Sequence, residues 1–220
     1  KDGNIRVNDK PVKANYRLSF DDVVEVTIPE LKEPEIVAED IPLDILYEDK
    51  DIIIVNKPKH MVVHPAPGHY TGTLVNALMY HCGDDLSGIN GVMRPGIVHR
   101  IDMDTTGSLL VCKNDFAQQN LALQLKEHSI NRVYEAIVHG NIKLDEGTVN
   151  APIGRHPTDR KKMSTHARQS REAITHFKVL ERFKDKTLVE CVLETGRTHQ
   201  IRVHMSYINH PVVNDPLYNK

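Results

Sequence analysis

The stretch from Gly96 to Cys112 constrains the fold more than any other part of this chain. Its first half alternates polar and apolar residues, a polar turn follows, and Leu109 to Cys112 is apolar. This pattern predicts a strand, a turn that ends at Gly107, and a second strand. Alternation would place Arg100 and Asp102 on one strand face, pointing into one cleft. Taken alone, the same residues fit an exposed Arg–Asp pair beside a hairpin equally well.

The composition indicates one medium globular domain with a small appendage. The chain has 220 residues, 40% hydrophobic and 26% charged, with a formal net charge of −2. This charge excludes a uniformly basic surface but permits a local basic groove. The three cysteines are widely spaced, which argues against a disulfide framework or a cysteine zinc site and predicts a reducing cytoplasm. No apolar run has the length of a membrane span, so we expect no membrane association.

The first 30 residues predict a small β structure that is too short to bury a core alone. Two short strands flank a polar turn at Asn8 and Asp9, and a third strand follows. Residues 31–42 are acidic and contain prolines, a composition typical of linkers. We therefore predict a first unit over residues 1–30, a linker over residues 31–42, and a larger domain over residues 43–220.

Hydrophobic periodicity predicts most elements of the larger domain. Ile52 to Val55 is a continuous apolar run, which indicates a strand buried on both faces, and it leads into Lys57 and a proline-rich loop. Helices are expected over residues 73–80, over residues 114–128 and after Gly196, where Thr198 is the expected N-cap. Further strands are predicted over residues 43–47, 131–140, 173–180 and 187–193.

Two residue types leave alternatives open. His60, His64 and His69 share one loop, but the neighbouring prolines and glycine oppose a helix, so a zinc site is the weaker interpretation. Tyr134 lies on one face of a predicted strand, where a tyrosine more often belongs to the core than to a site. Lys57, held at a strand end just before a proline, is a stronger functional candidate than the three histidines.

The segment from Arg155 to Arg171 is strongly basic and has no apolar periodicity. Its only acidic residue is Asp159, and its cations are Arg155, Arg160, Lys161, Lys162, Arg168 and Arg171. Cations concentrated in one loop are typical of a surface that binds phosphates. A solvated basic loop without a partner is the alternative.

Four motifs along the chain resemble those of one enzyme family. They are Asn56-Lys-Pro58 with His64-Pro-Ala-Pro-Gly68, His99-Arg-Ile-Asp-Met-Asp-Thr-Thr-Gly107, Arg132-Val-Tyr-Glu-Ala136 and Gly196-Arg-Thr-His-Gln-Ile-Arg-Val-His204. With these motifs the chain resembles the RluA family of pseudouridine synthases, closest to the branch that modifies large-subunit ribosomal RNA and carries an S4 domain. One departure is that Lys59 and His60 stand where the family has a small residue and glycine.

The resemblance implies an α+β fold, with a mixed, mainly antiparallel sheet and flanking helices, preceded by the tail of an S4-like domain. It implies that the protein isomerises uridine in RNA to pseudouridine without a metal or a nucleotide cofactor. The expected partner is RNA, ribosomal RNA in particular, and the expected state is a monomer. Because the first half of the S4 domain and the strand that usually follows Asp215-Pro-Leu-Tyr218 are missing, we expect a chain truncated at both ends.

The resemblance also implies roles for individual residues. Asp102 matches the catalytic nucleophile, and Arg202 matches the arginine that pairs with it and orients it. Tyr134 matches the tyrosine that packs against the target base, and Arg100 matches the residue that fills the space left by the flipped uridine. Further contacts with RNA are expected from Lys57, Arg197, Arg160, Lys161, Lys162 and Arg168.

Two other functions fit parts of the sequence. A non-catalytic RNA-binding protein would explain the basic segment, but it would not need an arginine to steady Asp102. A hydrolase of N-glycosidic bonds would usually need two carboxylates. Asp104 is the candidate for the second one, and we expect it to face away from the cleft.

Overall fold

The structure, a computed structural model, describes residues 4–13, 15–28, 36–66, 69–83, 85–91 and 94–219. These residues fall into two compact units, one before and one after residues 29–35. None of the helices within these ranges is long and apolar enough to cross a membrane.

The first unit is a three-stranded antiparallel sheet. In it, β1 (Ile5–Val7) lies between β2 (Lys10–Pro11) and β3 (Val24–Val26). The turn between β1 and β2 consists of Asn8 and Asp9, whose φ angles of 48° and 63° suit a two-residue hairpin. The three predicted strands are therefore confirmed, and the S4-like character of this unit stays a prediction.

Ile36 and the residues that follow it belong to the second unit. The side chain of Ile36 is buried in the core of that unit. The amide of Glu39 donates to the carbonyl of Asn76, and the carboxylate of Glu39 accepts from the amide of Gly72. Residues 36–42, which we predicted as linker, are therefore packed against the second unit, and the rest of the predicted linker lies outside the described residues.

Within its described residues, the second unit contains three sheets and three helices. In chain order they are β4 (Ile45–Glu48), β5 (Ile52–Lys57), α1 (Leu74–Cys82), β6 (Gly107–Cys112), α2 (Asp115–Lys126), β7 (Val133–His139), β8 (Glu146–Asn150), β9 (Ile153–Arg155), β10 (Met163–Ser164), β11 (Ser170–Arg171), β12 (Ile174–Arg182), β13 (Lys186–Leu193) and α3 (Gln200–Tyr207). The strand orders are β4–β5–β6, β7–β13–β12–β8 and β10–β9–β11. The predicted α+β class with mainly antiparallel pairing is confirmed.

The β4–β5–β6 sheet forms the first core together with α1. Ile53 and Val55 of β5 are buried against Leu74 of α1, and α1 begins at Thr73, whose hydroxyl accepts from the third amide of the helix. We expected β5 to be buried on both faces, and this expectation is wrong. Ile54 is only partly buried because its face of the sheet lines a cleft.

The first half of the central stretch is not a strand, contrary to the prediction from its alternation. Only Ile97 forms an isolated bridge, to Val111, and residues 98–106 form a loop. The cause is a side chain that takes the place of a strand partner. Nε2 of His99 accepts the hydrogen bond from the amide of Leu110 at 2.9 Å, so the backbone of the loop is not needed to satisfy that amide.

The β7–β13–β12–β8 sheet and α3 form the second core. Met205 of α3 is buried with Phe177 of β12 and Val189 of β13, as the helical spacing in the sequence predicts. The helix itself begins at His199, which has a φ of 57° and makes no side-chain cap. The expected N-cap at Thr198 is therefore wrong.

The basic segment contains the third sheet, which we had not predicted. Met163 of β10 and Ser170 of β11 flank β9 on opposite sides. Gly154 lies at the centre, where a Cβ would collide with the carbonyl oxygen of Gln169. Strands this short and polar have no apolar periodicity, so the pattern could not reveal them.

Candidate active site

A cleft of about 1160 Å³ in the second unit brings together residues that are distant in the sequence. Its walls come from the 99–107 loop, from β5 and β6, from β7, from α3, and from residues 212–216. Asp102, Tyr134 and Arg202, which we predicted as the catalytic group, all line this cleft.

Asp102 is paired with Arg202 across a hundred residues of sequence. Nη1 of Arg202 donates to Oδ2 of Asp102 at 2.9 Å, and the two side chains are 27% and 21% exposed, Asp102 being the more exposed. Asp102 begins a turn in which its carbonyl accepts from the amide of Thr105. A rigid turn therefore presents a partly shielded carboxylate to the cleft, with a cation beside it.

Asp215 is a site residue that the sequence analysis missed. It accepts from Nε and Nη2 of Arg202 at 2.6 and 3.0 Å, and its side chain is only 2% exposed. Burial opposes ionisation of this carboxyl, but hydrogen bonds from Arg202 and from the amides of Leu217 and Tyr218 lower its pKa overall. The available signal was an acidic residue in an otherwise proline-rich, partly apolar loop.

Tyr218 holds the same arginine from another side. Its ring centroid lies 5.1 Å from Cζ of Arg202, a distance that suits a cation–π contact. Its hydroxyl accepts from the amide of Met163 at 2.7 Å and contacts Nδ1 of His199 at 2.8 Å. The guanidinium is thus fixed by two carboxylates and an aromatic ring, and Tyr218 connects the site to the basic segment.

Tyr134 lies on β7, where it packs against the second core and also lines the cleft. Burial raises the pKa of the Tyr134 phenol, and the negative charge of Asp102 adds to the rise while Arg132 opposes it. The phenol is therefore neutral at physiological pH. A neutral ring beside a carboxylate can pack on a base without adding charge to the cleft.

Arg132 explains why a glycine, Gly196, lies in the loop between β13 and α3. Its Nη2 donates to the carbonyl of Glu194 at 2.9 Å. A Cβ at Gly196 would lie 2.5 Å from Nη1 of Arg132, so a larger residue there would displace the guanidinium. Arg132 lines the cleft together with Asp102 and Tyr134.

Arg100 and Arg197 line a smaller recess of about 280 Å³ that continues past Asp102. Nη2 of Arg100 donates to Oγ1 of Thr198 at 2.9 Å, so Arg100 reaches the segment that leads into α3, whereas Asp102 reaches α3 itself. Nε of Arg197 donates to the carbonyl of Glu172 at 2.8 Å. Both arginines keep further donors for a ligand.

Lys57 is not placed to contact RNA, and this part of the prediction is wrong. The residue is completely buried, and Nζ donates to the carbonyls of Pro58, Met61 and Met103 at 2.7, 2.9 and 3.0 Å. Burial lowers its pKa to about 8. Its function is structural: it ties the end of β5 to the loop that carries Asp102.

The predicted basic residues lie on the third sheet and its turns rather than in the cleft. Arg160, Lys161 and Arg168 are exposed, and Lys162 is half-buried. Their positions are compatible with the predicted contacts to phosphates, which stay predictions.

The histidines of the loop after β5 do not form a metal site in the part of the chain that the structure describes. There, the group with ligand atoms close enough to share a metal is Glu48, His81 and Cys82, all within 4.8 Å. The carboxylate of Glu48 is already bound by Lys113 at 2.8 Å and by His81 at 2.9 Å. The zinc interpretation of the loop is therefore not supported.

Comparison with known proteins defines the class. The family model for RNA pseudouridylate synthases matches residues 51–207. The chain is 61% identical over 218 residues to an uncharacterized RNA pseudouridine synthase of Bacillus subtilis, covering 99% of this chain and 71% of that protein. It is 50% identical over 206 residues to ribosomal large subunit pseudouridine synthase D of Zymomonas mobilis, covering 93% of this chain and 65% of that protein.

Solved structures agree with these relatives. The human RNA pseudouridylate synthase domain containing 1 has a TM-score of 0.67 and 28% identity, and the match covers 86% of this chain and 73% of that one. The family model and these relatives together define an isomerase that acts on RNA. The chain belongs to the RNA pseudouridylate synthase family, as the motifs predicted.

Proposed function

We propose that this protein converts uridines of large-subunit ribosomal RNA to pseudouridine and that Asp102 is its catalytic carboxylate. The observation that carries the proposal is the ion pair between Asp102 and Arg202 in a cleft that also holds Tyr134. The choice of ribosomal RNA rests on relatives such as the Zymomonas mobilis enzyme, which is named for the large ribosomal subunit.

The reaction is an isomerisation, so the product contains the same atoms as the substrate, and it needs one carboxylate. The bond between N1 of uracil and C1′ of ribose breaks, the base rotates, C5 bonds to C1′, and the proton on C5 leaves while N1 gains one. Asp102 supplies the nucleophilic carboxylate, and the fixed cation of Arg202 stabilises its charge. Tyr134 packs against the uracil while the base turns.

RNA binding is assigned to positively charged surfaces around the cleft. Arg100 fills the space that the flipped uridine leaves, and Arg197 contacts a phosphate. Arg160, Lys161, Lys162 and Arg168 bind the RNA backbone. The exposure of Arg160, Lys161 and Arg168 supports this assignment. We assign residues 4–28 to the end of an S4-like RNA-binding domain and, because the three cysteines are free thiols, the protein to the cytoplasm.

The test is the substitution Asp102→Asn. We expect no pseudouridine formation on ribosomal RNA and nearly unchanged RNA binding, because the amide keeps the shape of the side chain but is not a nucleophile. Tritium release from C5-labelled RNA measures the first and a filter-binding isotherm the second. Equal activity of variant and wild type would refute the assignment.

A further inference from the structure

The turn after β5 contains a residue in an unfavourable backbone conformation at the edge of the cleft. His60 has a φ of +63°, in the left-handed region that favours glycine. Among the described non-glycine residues of the second unit with positive φ, three line the cleft or its recess, namely His60, His199 and Asn214. Backbone strain that persists at a binding cleft points to a use for the side chain.

The backbone of this turn is fixed relative to the catalytic loop. The ammonium of Lys57 binds the carbonyls of Pro58 and Met61, on both sides of His60, and that of Met103, next to Asp102. The position of the His60 side chain is therefore tied to that of Asp102, although the two residues are far apart in the sequence.

The imidazole of His60 is oriented by Asp104. Nδ1 of His60 lies 2.7 Å from Oδ1 of Asp104, and the two side chains are 70% and 52% exposed. Both residues line the cleft, so Asp104 does not face away from it, contrary to our expectation. A side-chain contact this exposed contributes little to stability, so it does not explain why a strained histidine occupies the turn.

We propose that the His60 ring is a stacking surface for an RNA base next to the target uridine. This proposal rests on the proposed function. The ring is exposed at the cleft, its orientation is set by one hydrogen bond, and its faces are not used by that bond. Proteins that read unpaired RNA stack its bases on aromatic side chains, histidine included. A carboxylate at 2.7 Å makes the same ring a poor site for a phosphate, because both are anions.

The test compares His60→Gly with wild type and with Asn209→Gly, which relaxes the same backbone strain (φ 64°) at an exposed position after α3. The probe is a stem–loop RNA that the wild type modifies, with 2-aminopurine beside the modified uridine. For His60→Gly we expect a thermal midpoint at or above that of wild type, a KM raised about 10-fold, and unchanged kcat at saturation. Wild type and Asn209→Gly should quench 2-aminopurine on binding, and His60→Gly should not.

Two further results would overturn the proposal. An unchanged KM and full quenching in His60→Gly would show that no base stacks on the ring. Restoration of KM by His60→Lys, which has no ring, would show that the contact is to a phosphate. Either result leaves pseudouridine formation by wild type intact, whereas a wild type that neither binds nor modifies RNA would refute the proposed function itself.

Discussion

Arg202 is bound more extensively by Asp215 than by Asp102. It donates to both oxygens of Asp215, at 2.6 and 3.0 Å, but reaches Asp102 through one hydrogen bond of 2.9 Å. Within the described residues, Oδ1 of Asp102 accepts no hydrogen bond. The buried carboxylate of Asp215 therefore fixes the guanidinium, and the partly exposed carboxylate of Asp102 keeps one oxygen without a partner among the described residues.

This division of roles predicts the effect of Asp215→Asn. The amide can still accept from the amides of Leu217 and Tyr218, but it no longer attracts the guanidinium. We expect kcat to fall about 10- to 100-fold because Arg202 is less well positioned, with little change in KM. Single-turnover rates below the unfolding transition measure the effect. A variant with a wild-type kcat would show that Arg202 needs only Asp102.

Lys57→Met should destabilise the protein. Three partly buried carbonyls would lose their charged donor, and we expect the free energy of unfolding to fall by about 3 kcal/mol or more. Lys59→Met, at the exposed position two residues later, is the matched control and should change it by less than about 0.5 kcal/mol. Urea unfolding gives both values. If Lys57→Met lost RNA affinity but not stability, the result would show that Lys57 contacts RNA directly.

The burial of His99 should make the protein less stable in acid. Burial lowers the pKa of His99 to about 4, whereas an unfolded chain has a histidine pKa of about 6.5. Because the unfolded chain binds the proton more readily, stability is complete above pH 6.5 and falls as the pH drops toward 4. His99 should account for about 2 kcal/mol of the loss between pH 7.5 and pH 5.

The variant His99→Gln tests this assignment because its side chain can accept from the amide of Leu110 but does not titrate. Urea unfolding at pH 7.5 and pH 5 should show a smaller loss in the variant than in wild type. If both proteins lose the same amount of stability, other groups cause the pH dependence.

The basic segment, residues 155–171, should control the salt dependence of RNA binding. Replacing Lys161 and Lys162 with glutamine removes two phosphate contacts, and the slope of log Kd against log salt concentration should decrease by roughly 1 to 2. Lys184→Gln, in the turn between β12 and β13, is the control and should leave the slope unchanged. An unchanged slope in the double variant would show that the segment is a solvated surface that does not bind phosphates.

Local patterns predicted most of the regular elements. Apolar spacing located the three helices within a few residues, and Asn114, at the predicted start of the second helix, caps α2 with its side chain. Apolar alternation located the long strands β12 and β13. These predictions succeeded because helices and buried strands repeat their contacts with a fixed period along the chain.

Two of the failures occurred where a side chain bonds to the backbone of a neighbouring strand or loop. The alternation of residues 97–102 predicted a strand, but His99 satisfies the amide of Leu110 itself. Lys57 looked like a ligand contact, but two carbonyls of the turn that follows it and the carbonyl of Met103 surround its ammonium. Such contacts join a side chain to single backbone groups at irregular separations, so they leave no periodic signal.

The sequence by itself determined the family, the α+β class and the carboxylate that we propose as catalytic, because the motifs around Asp102, Tyr134 and Arg202 are contiguous and can be recognised one at a time. Only the tertiary structure decided which charges are available to a substrate. It buried Lys57, assigned Asp215 to Arg202, and turned His60 toward the cleft. Burial and pairing depend on contacts between distant segments, and these are formed only when the chain folds.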